Sequence, residues 1–151
     1  MLFRSDEALA RWRAAAGNIP GVSEQLDQLV FTVTDLDGLA LAHSFDGAIR
    51  VDANAAGNGW FVDASPASDD EFTLAGTGTT LRADAASAAF GRYDLLTVLM
   101  HEIGHALGVE HTEAAGTLMS MSLASGVRSD ISSDEVARIS LGVDTAGALD
   151  S

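Results

Sequence analysis

The chain has 151 residues, 47% of them hydrophobic and 20% charged, enough for one core and too apolar for a disordered chain. Its 22 acidic residues face only 8 basic ones, all Arg, for a net charge of −14. Such a surface repels nucleic acid and anionic membranes, and suits solubility or the binding of hard cations by carboxylates. The absence of Cys excludes disulfides, thiolate metal sites and a thiol nucleophile. No 18-residue apolar run is present, so no membrane insertion is expected. The opening MLFRSDEALARWRAAAG has no apolar h-region and does not read as a secretion signal. Export, if it occurs, is signalled elsewhere, or the sequence is a piece of a longer one.

In chain order, residues 5–16 read as a short helix with Ser5 as N-cap, Leu9, Trp12 and Ala16 on one face, and Gly17 as the stop. Pro20 and Gly21 mark a loop. LVFTVT (29–34), LALAHSF (39–45) and AIRVDA (48–53) are strand candidates. Asp46-Gly47 between the last two predicts an antiparallel hairpin. Residues 54–80 read as a long loop anchored by Trp60, Phe61 and Phe72, and loops of that length are usually functional or disordered. DLLTVLMHEIGHAL (94–107) is the clearest helix, with Asp94 as its cap and Gly108 as a left-handed stop. ISSDEVARISLG (131–142) reads as a final helix with Ser132 and Glu135 at capping-box spacing and Gly142 as the stop. The last residues, DTAGALDS, read as frayed.

The chemistry concentrates in HEIGHALGVEH, residues 101–111. His101 and His105 are four apart and share a helix face, a spacing that grips one zinc ion. Glu102 lies beside them, within reach of a water on the metal. Gly108 permits a sharp turn that brings His111 back as a third ligand. Three protein ligands leave the fourth position of a tetrahedral zinc open, the arrangement of a catalytic site. The bland alternative, His residues scattered on a polar face, does not account for five fixed positions, three of them a rare residue. A different hydrolase, with Glu135 as third ligand, would lack a use for the Gly108 turn.

HEIGHALGVEH resembles the metzincin signature of zinc endopeptidases, and GTLMSM downstream is similar to the Met-turn of the matrixin branch. The resemblance implies that Met119, rather than Met121, supports the floor of the site; ordinary core filling is the other reading of Met119. LALAHSF with GAIRVD resembles the two matrixin strands before the zinc helix. The resemblance makes 48–53 an antiparallel edge strand that pairs with the substrate backbone, and makes residues 116–124 a wall shaping the side-chain pocket. The stretches 52–72 and 91–108 resemble matrixin-like domains embedded in large bacterial secreted or surface proteins. This resemblance implies an extracellular or cell-surface location. The family's usual first strand, before the first helix, is not recognisable, which leaves the sheet short or an edge exposed. Residues 44–100 contain no His, so His43 cannot form a second, structural zinc site. Asp52, Asp63, Asp69, Asp70 and Glu71 could instead bind Ca²⁺, or form a solvated acidic loop.

These readings converge on an α+β, metzincin-like fold. A small twisted mixed sheet packs on two helices, one carrying the zinc motif, beside a loop-rich C-terminal part with one helix. Residues 1–151 form one catalytic domain, with subdomains 5–108 and 109–142. The expected activity is zinc-dependent, metal-activated-water hydrolysis of peptide bonds with Glu102 as general base. The expected substrate is a protein or peptide, the parent chain being one candidate, and the expected state is a monomer. The alternative is a catalytically silent zinc-binding module of a larger surface protein.

Overall fold

A computed structural model describes residues 4–142 and 147–150. The first helix, α1 (Ser5–Ala16), buries Ala8, Trp12 and Ala16. Its N-cap is Arg4, with no side-chain cap bond, so Ser5 is inside the helix and does not cap it. A short helix, α2 (Val22–Asp27), follows where Pro20 and Gly21 suggested only a loop. Val22 and Leu26 are its buried residues, and six residues are too few for periodicity to reveal.

The main sheet holds β1 (Val30–Thr34), β2 (Ala40–Phe45), β3 (Ala48–Asp52) and β9 (Gly147–Asp150) in the order β1-β3-β2-β9. β1 runs parallel to β3, and β2 runs antiparallel to both β3 and β9. Asp46 and Gly47 both take positive φ, and Phe45 faces Ala48 across the two-residue hairpin they close. This arrangement corrects two expectations. Strand 48–52 is not an edge: it is paired on both sides, so its backbone cannot take a substrate strand. Nor is the whole of 144–151 frayed, because Gly147–Asp150 forms β9, with Leu149 buried in the core; residues 144–146 and 151 lie outside the described residues. β1 bounds the sheet on the other side, with Val30 exposed.

The long loop 54–80 is broken by two short strands. β4 (Trp60–Phe61) pairs in parallel with β7 (Tyr93–Asp94). β5 (Leu74–Ala75), β6 (Leu81–Arg82) and β8 (Val127–Arg128) form a small antiparallel sheet. Trp60, Phe61 and Phe72 are buried, as anchors of this region should be. Helix α3 (Leu95–Ala106) is buried along nearly its whole length and packs against α1, β2 and β9. The last helix, α4 (Ser133–Ala137), is less than half the expected length. Glu135 reaches back to the Ser132 N–H (3.2 Å) and accepts from its hydroxyl (2.8 Å), which starts the helix as anticipated. It ends early because the Ser140 N–H donates to the Leu107 carbonyl at 3.0 Å, so the end of α3 captures the chain.

One buried cation joins these parts. Arg128, 1% exposed, donates from Nε and Nη2 to the Asp94 carboxylate (2.8 and 3.0 Å), pairs with Asp63 at 3.0 Å and Asp69 at 3.1 Å, and lies over the Phe72 ring. Burial works against its charge, but the Asp94 bonds and the other carboxylates outweigh that and raise its pKa. Asp94 occupies the N-cap position of α3 without capping the backbone; its carboxylate is spent on Arg128 and the Thr97 hydroxyl, 2.6 Å away. Arg128→Met strips the cation from two fully buried carboxylates and should destabilise the chain by about 3–5 kcal/mol in denaturant titration. Arg138→Met, which breaks only the exposed pair with Asp134, should change stability by less than about 1 kcal/mol.

Candidate metal centre

The site grows out of the C-terminal end of α3. Residues four apart on a helix stack on one face, so His101 and His105 present their rings together. The helix then ends in a Schellman motif. Gly108 has φ +86°, its N–H donates to the His105 carbonyl (2.9 Å), and the Val109 N–H donates to the Gly104 carbonyl (2.9 Å). A Cβ at Gly108 would also stand 2.0 Å from the Ser140 oxygen, so conformation and space both require glycine. This turn carries the chain back and returns His111 to the helix face.

The three imidazoles converge. The Nε2 atoms of His101, His105 and His111 form a triangle with sides of 3.1, 3.1 and 3.2 Å. Nitrogens bonded to one zinc at tetrahedral angles stand about 3.3 Å apart, given zinc–nitrogen distances near 2.0–2.1 Å. The opposite ring atoms are tied down: His101 Nδ1 donates to the Leu118 carbonyl (2.7 Å) and His105 Nδ1 to the Val109 carbonyl (2.9 Å). With the proton on Nδ1, Nε2 carries a lone pair, and these lone pairs point at one another. Such a cluster is repulsive without a cation between its members and fits a zinc ion with one. It is the one group of three or more metal-ligating side chains among the described residues. Burial pushes the pKa of His101 down to about 3, with His105 adding to the effect, and that of His105 down to about 4, with His111 adding. Burial also lowers His111. All three are therefore neutral, the form a metal needs.

Glu102 is fully buried, and neither carboxylate oxygen has a hydrogen-bond partner. Burial holds its pKa well above the ordinary carboxylate range. A buried carboxyl left without partners is costly, and Glu102 follows the ligating His101 directly in the chain.

Met119 is buried, its sulfur 2.7 Å from where a Cβ on Gly104 would stand. Met121 is 64% exposed and takes no part in the floor. The Met119 carbonyl accepts from the Thr112 N–H at 2.9 Å, which ties the residue after His111 to the segment that orients His101. Two residues that sequence reasoning did not assign to the site belong to its support. Gly104 makes room for Met119 and for the Trp12 ring. Trp12 crosses from α1 and donates its indole N–H to the Met100 carbonyl at 2.9 Å. The available signal was the lack of a side chain at 104 on the apolar face of a strong helix.

The proposed acidic cation set is not brought together. Asp52 accepts backbone N–H bonds from Leu36, Asn54 and Ala56; these outweigh its burial and lower its pKa. Asp63 and Asp69 pair with Arg128, while Asp70 and Glu71 line a separate shallow cleft with Asp84. Glu135 serves the α4 cap and not the metal site. Beside Thr112, the segments 112–117 and 120–124 together with Thr80 and the β6 residue Arg82 line a cavity of about 450 Å³. It coincides with the wall expected at 116–124.

Compared with known proteins, the chain matches the family model described as Matrixin over residues 24–141. No curated protein and no solved structure matches it.

In the metal-free protein, folded His101 and His105 resist protonation down to about pH 3 and 4, whereas unfolded histidines protonate near 6.5. The unfolded state therefore binds more protons below pH 6.5, and stability, full above that value, should fall as pH drops from 6.5 towards 4. Denaturant midpoints measured after chelation check this. His101→Gln should make the decline shallower, and equal slopes would contradict it.

Proposed function

The chain belongs to the matrixin family, and from that premise we propose that it is a zinc-dependent endopeptidase with Glu102 as general base. Members of this family bind zinc, and His101, His105 and His111 are the residues that would hold it here. The observation carrying the reading is the convergence of three Nε2 lone pairs, together with a buried, partnerless carboxyl on Glu102, the residue after His101. A structural site has no use for that carboxyl.

Bound zinc supplies Lewis acidity and lowers the pKa of a water. Glu102 accepts a proton from the attacking water and returns it to the leaving amine nitrogen. Its burial supports this role: the carboxyl is kept from bulk water, and no hydrogen-bond partner competes for it. The Leu118 and Val109 carbonyls hold His101 and His105 in the ligating tautomer. Met119 makes no chemical step and supports the turn beneath the helix. The cavity beyond Thr112 is apolar along Leu123 and Val127, and in this reading it receives a substrate side chain.

The whole chain acts in this proposal as one catalytic domain, with 5–108 and 109–142 on either side of the cleft. Its substrates are proteins or peptides met outside the cell or at a bacterial surface, the parent chain among them. No described helix is long and apolar enough to cross a membrane.

The test is hydrolysis of a broad fluorogenic peptide mixture by zinc-loaded wild type and Glu102→Ala at equal zinc content. Zinc stoichiometry should be one per chain in both, and turnover should fall by roughly 10²–10⁴-fold in the variant. His111→Ala should lose tight zinc binding. Equal turnover in wild type and Glu102→Ala would refute the general-base role, and silence in both with zinc bound would identify a binding module.

A further inference from the structure

Two edges bound the main sheet, and they differ in what lies beside them. β1 forms one edge. At the other, β9 lies antiparallel on β2, with Ala42 facing Leu149, His43 facing Ala148 and Ser44 facing Gly147. Helix α3, which carries the histidines, packs against β2 and β9. Ser44 and Asp46 also share a cavity of about 350 Å³ with His105 and Ala106. The end of β2 that receives Gly147 therefore shares a cavity with His105, one of the three histidines, with Gln25 of α2 and with Gln28 just after that helix.

An extended peptide binds a sheet most directly by adding a strand to an open edge. β3 offers none, since β1 and β2 flank it. A peptide that pairs with the edge nearest the triad must lie where β9 lies. We propose that Gly147–Asp150 is an intramolecular occupant of the substrate edge of β2, and that it competes with peptide substrates for that edge. This inference rests on the peptidase reading above.

The character of the β2–β9 pairing supports a displaceable occupant. The strand has four residues, and its register slips between Ala40 and Ala42, which leaves a short ladder. Leu149 is its buried apolar anchor, 1% exposed. Because the segment is covalently attached, its effective concentration at the edge is far above that of a free peptide, on the order of millimolar for an intramolecular partner. That exceeds a free peptide at micromolar concentration without any requirement for tight pairing. A partner or a cut that draws the segment away would open the edge.

The experiment uses the full zinc-loaded chain, comparing wild type with Leu149→Asp and the milder Leu149→Ala. Hydrogen exchange is read at the amides of residues 40–45, and binding of a fluorescein-labelled peptide with the sequence of residues 145–151 is read by anisotropy. In Leu149→Asp, exchange along β2 should accelerate while α3 stays protected. The labelled peptide should bind at least ten-fold more tightly than to wild type, with Leu149→Ala in between. Where wild type turns over a peptide, KM should fall in the same order with kcat unchanged. Exchange and binding need no turnover, so a chain that hydrolyses nothing still tests the occupancy, and the peptidase reading fails separately. Equal peptide affinity in all three proteins would overturn the proposal. So would unfolding of both variants, which would make β9 an integral part of the core.

Discussion

Three imidazole lone pairs held about 3 Å apart, together with a buried, partnerless carboxyl on the residue after His101, are an electrostatic cost that packing sustains. Much of the molecule is organised around that constraint. Helix α3 supplies two rings from one face, and the Gly108 turn supplies the third. The Leu118 and Val109 carbonyls fix which ring nitrogen carries the proton. Met119 and Trp12 fill the space that a bare Gly104 leaves under the helix. Each contact is ordinary; their joint effect is to point every Nε2 at one spot, where a divalent cation turns repulsion into coordination.

The same logic governs the buried carboxylates. Asp63, Asp69 and Asp94 surround Arg128, and Asp52 is consumed by backbone N–H groups at the end of β3. Arg128 links the loop carrying Phe72, the start of α3 and strand β8. The N-terminal end of the metal helix is thus anchored by charge, while its C-terminal end is anchored by the Schellman turn. Those two anchors, at opposite ends of twelve residues, hold the histidines in register with the Met119 segment.

The metal helix, the Gly108 stop, the Asp46-Gly47 hairpin and the Ser132–Glu135 cap were legible because each depends on residues within a few positions of one another. Long-range partners were not. Nothing near Asp63 or Asp69 announces an Arg some sixty residues on, so a cation site was a fair reading of those carboxylates from local spacing alone. The strand order failed for the same reason. Val51 and Leu41 both alternate as buried strand residues, and alternation does not say which strand ends up between two others. β9 escaped notice because a four-residue Gly-Ala-Leu-Asp strand has little intrinsic preference and depends on its β2 partner. Trp12 and Gly104 were visible as core positions, but their place beneath the metal site needed the packing of α1 on α3.

The central claim is that these three histidines, in this tautomer, ligate one zinc and leave His43 out. Long-range ¹H–¹⁵N NMR of the imidazoles during zinc titration tests it most directly. The account predicts that His101, His105 and His111 shift together at Nε2 and saturate at one zinc per chain. His101 and His105 should keep their proton on Nδ1, and His43 should not move. Coordination through Nδ1, saturation with only two of the three rings, or a shift at His43 would contradict it.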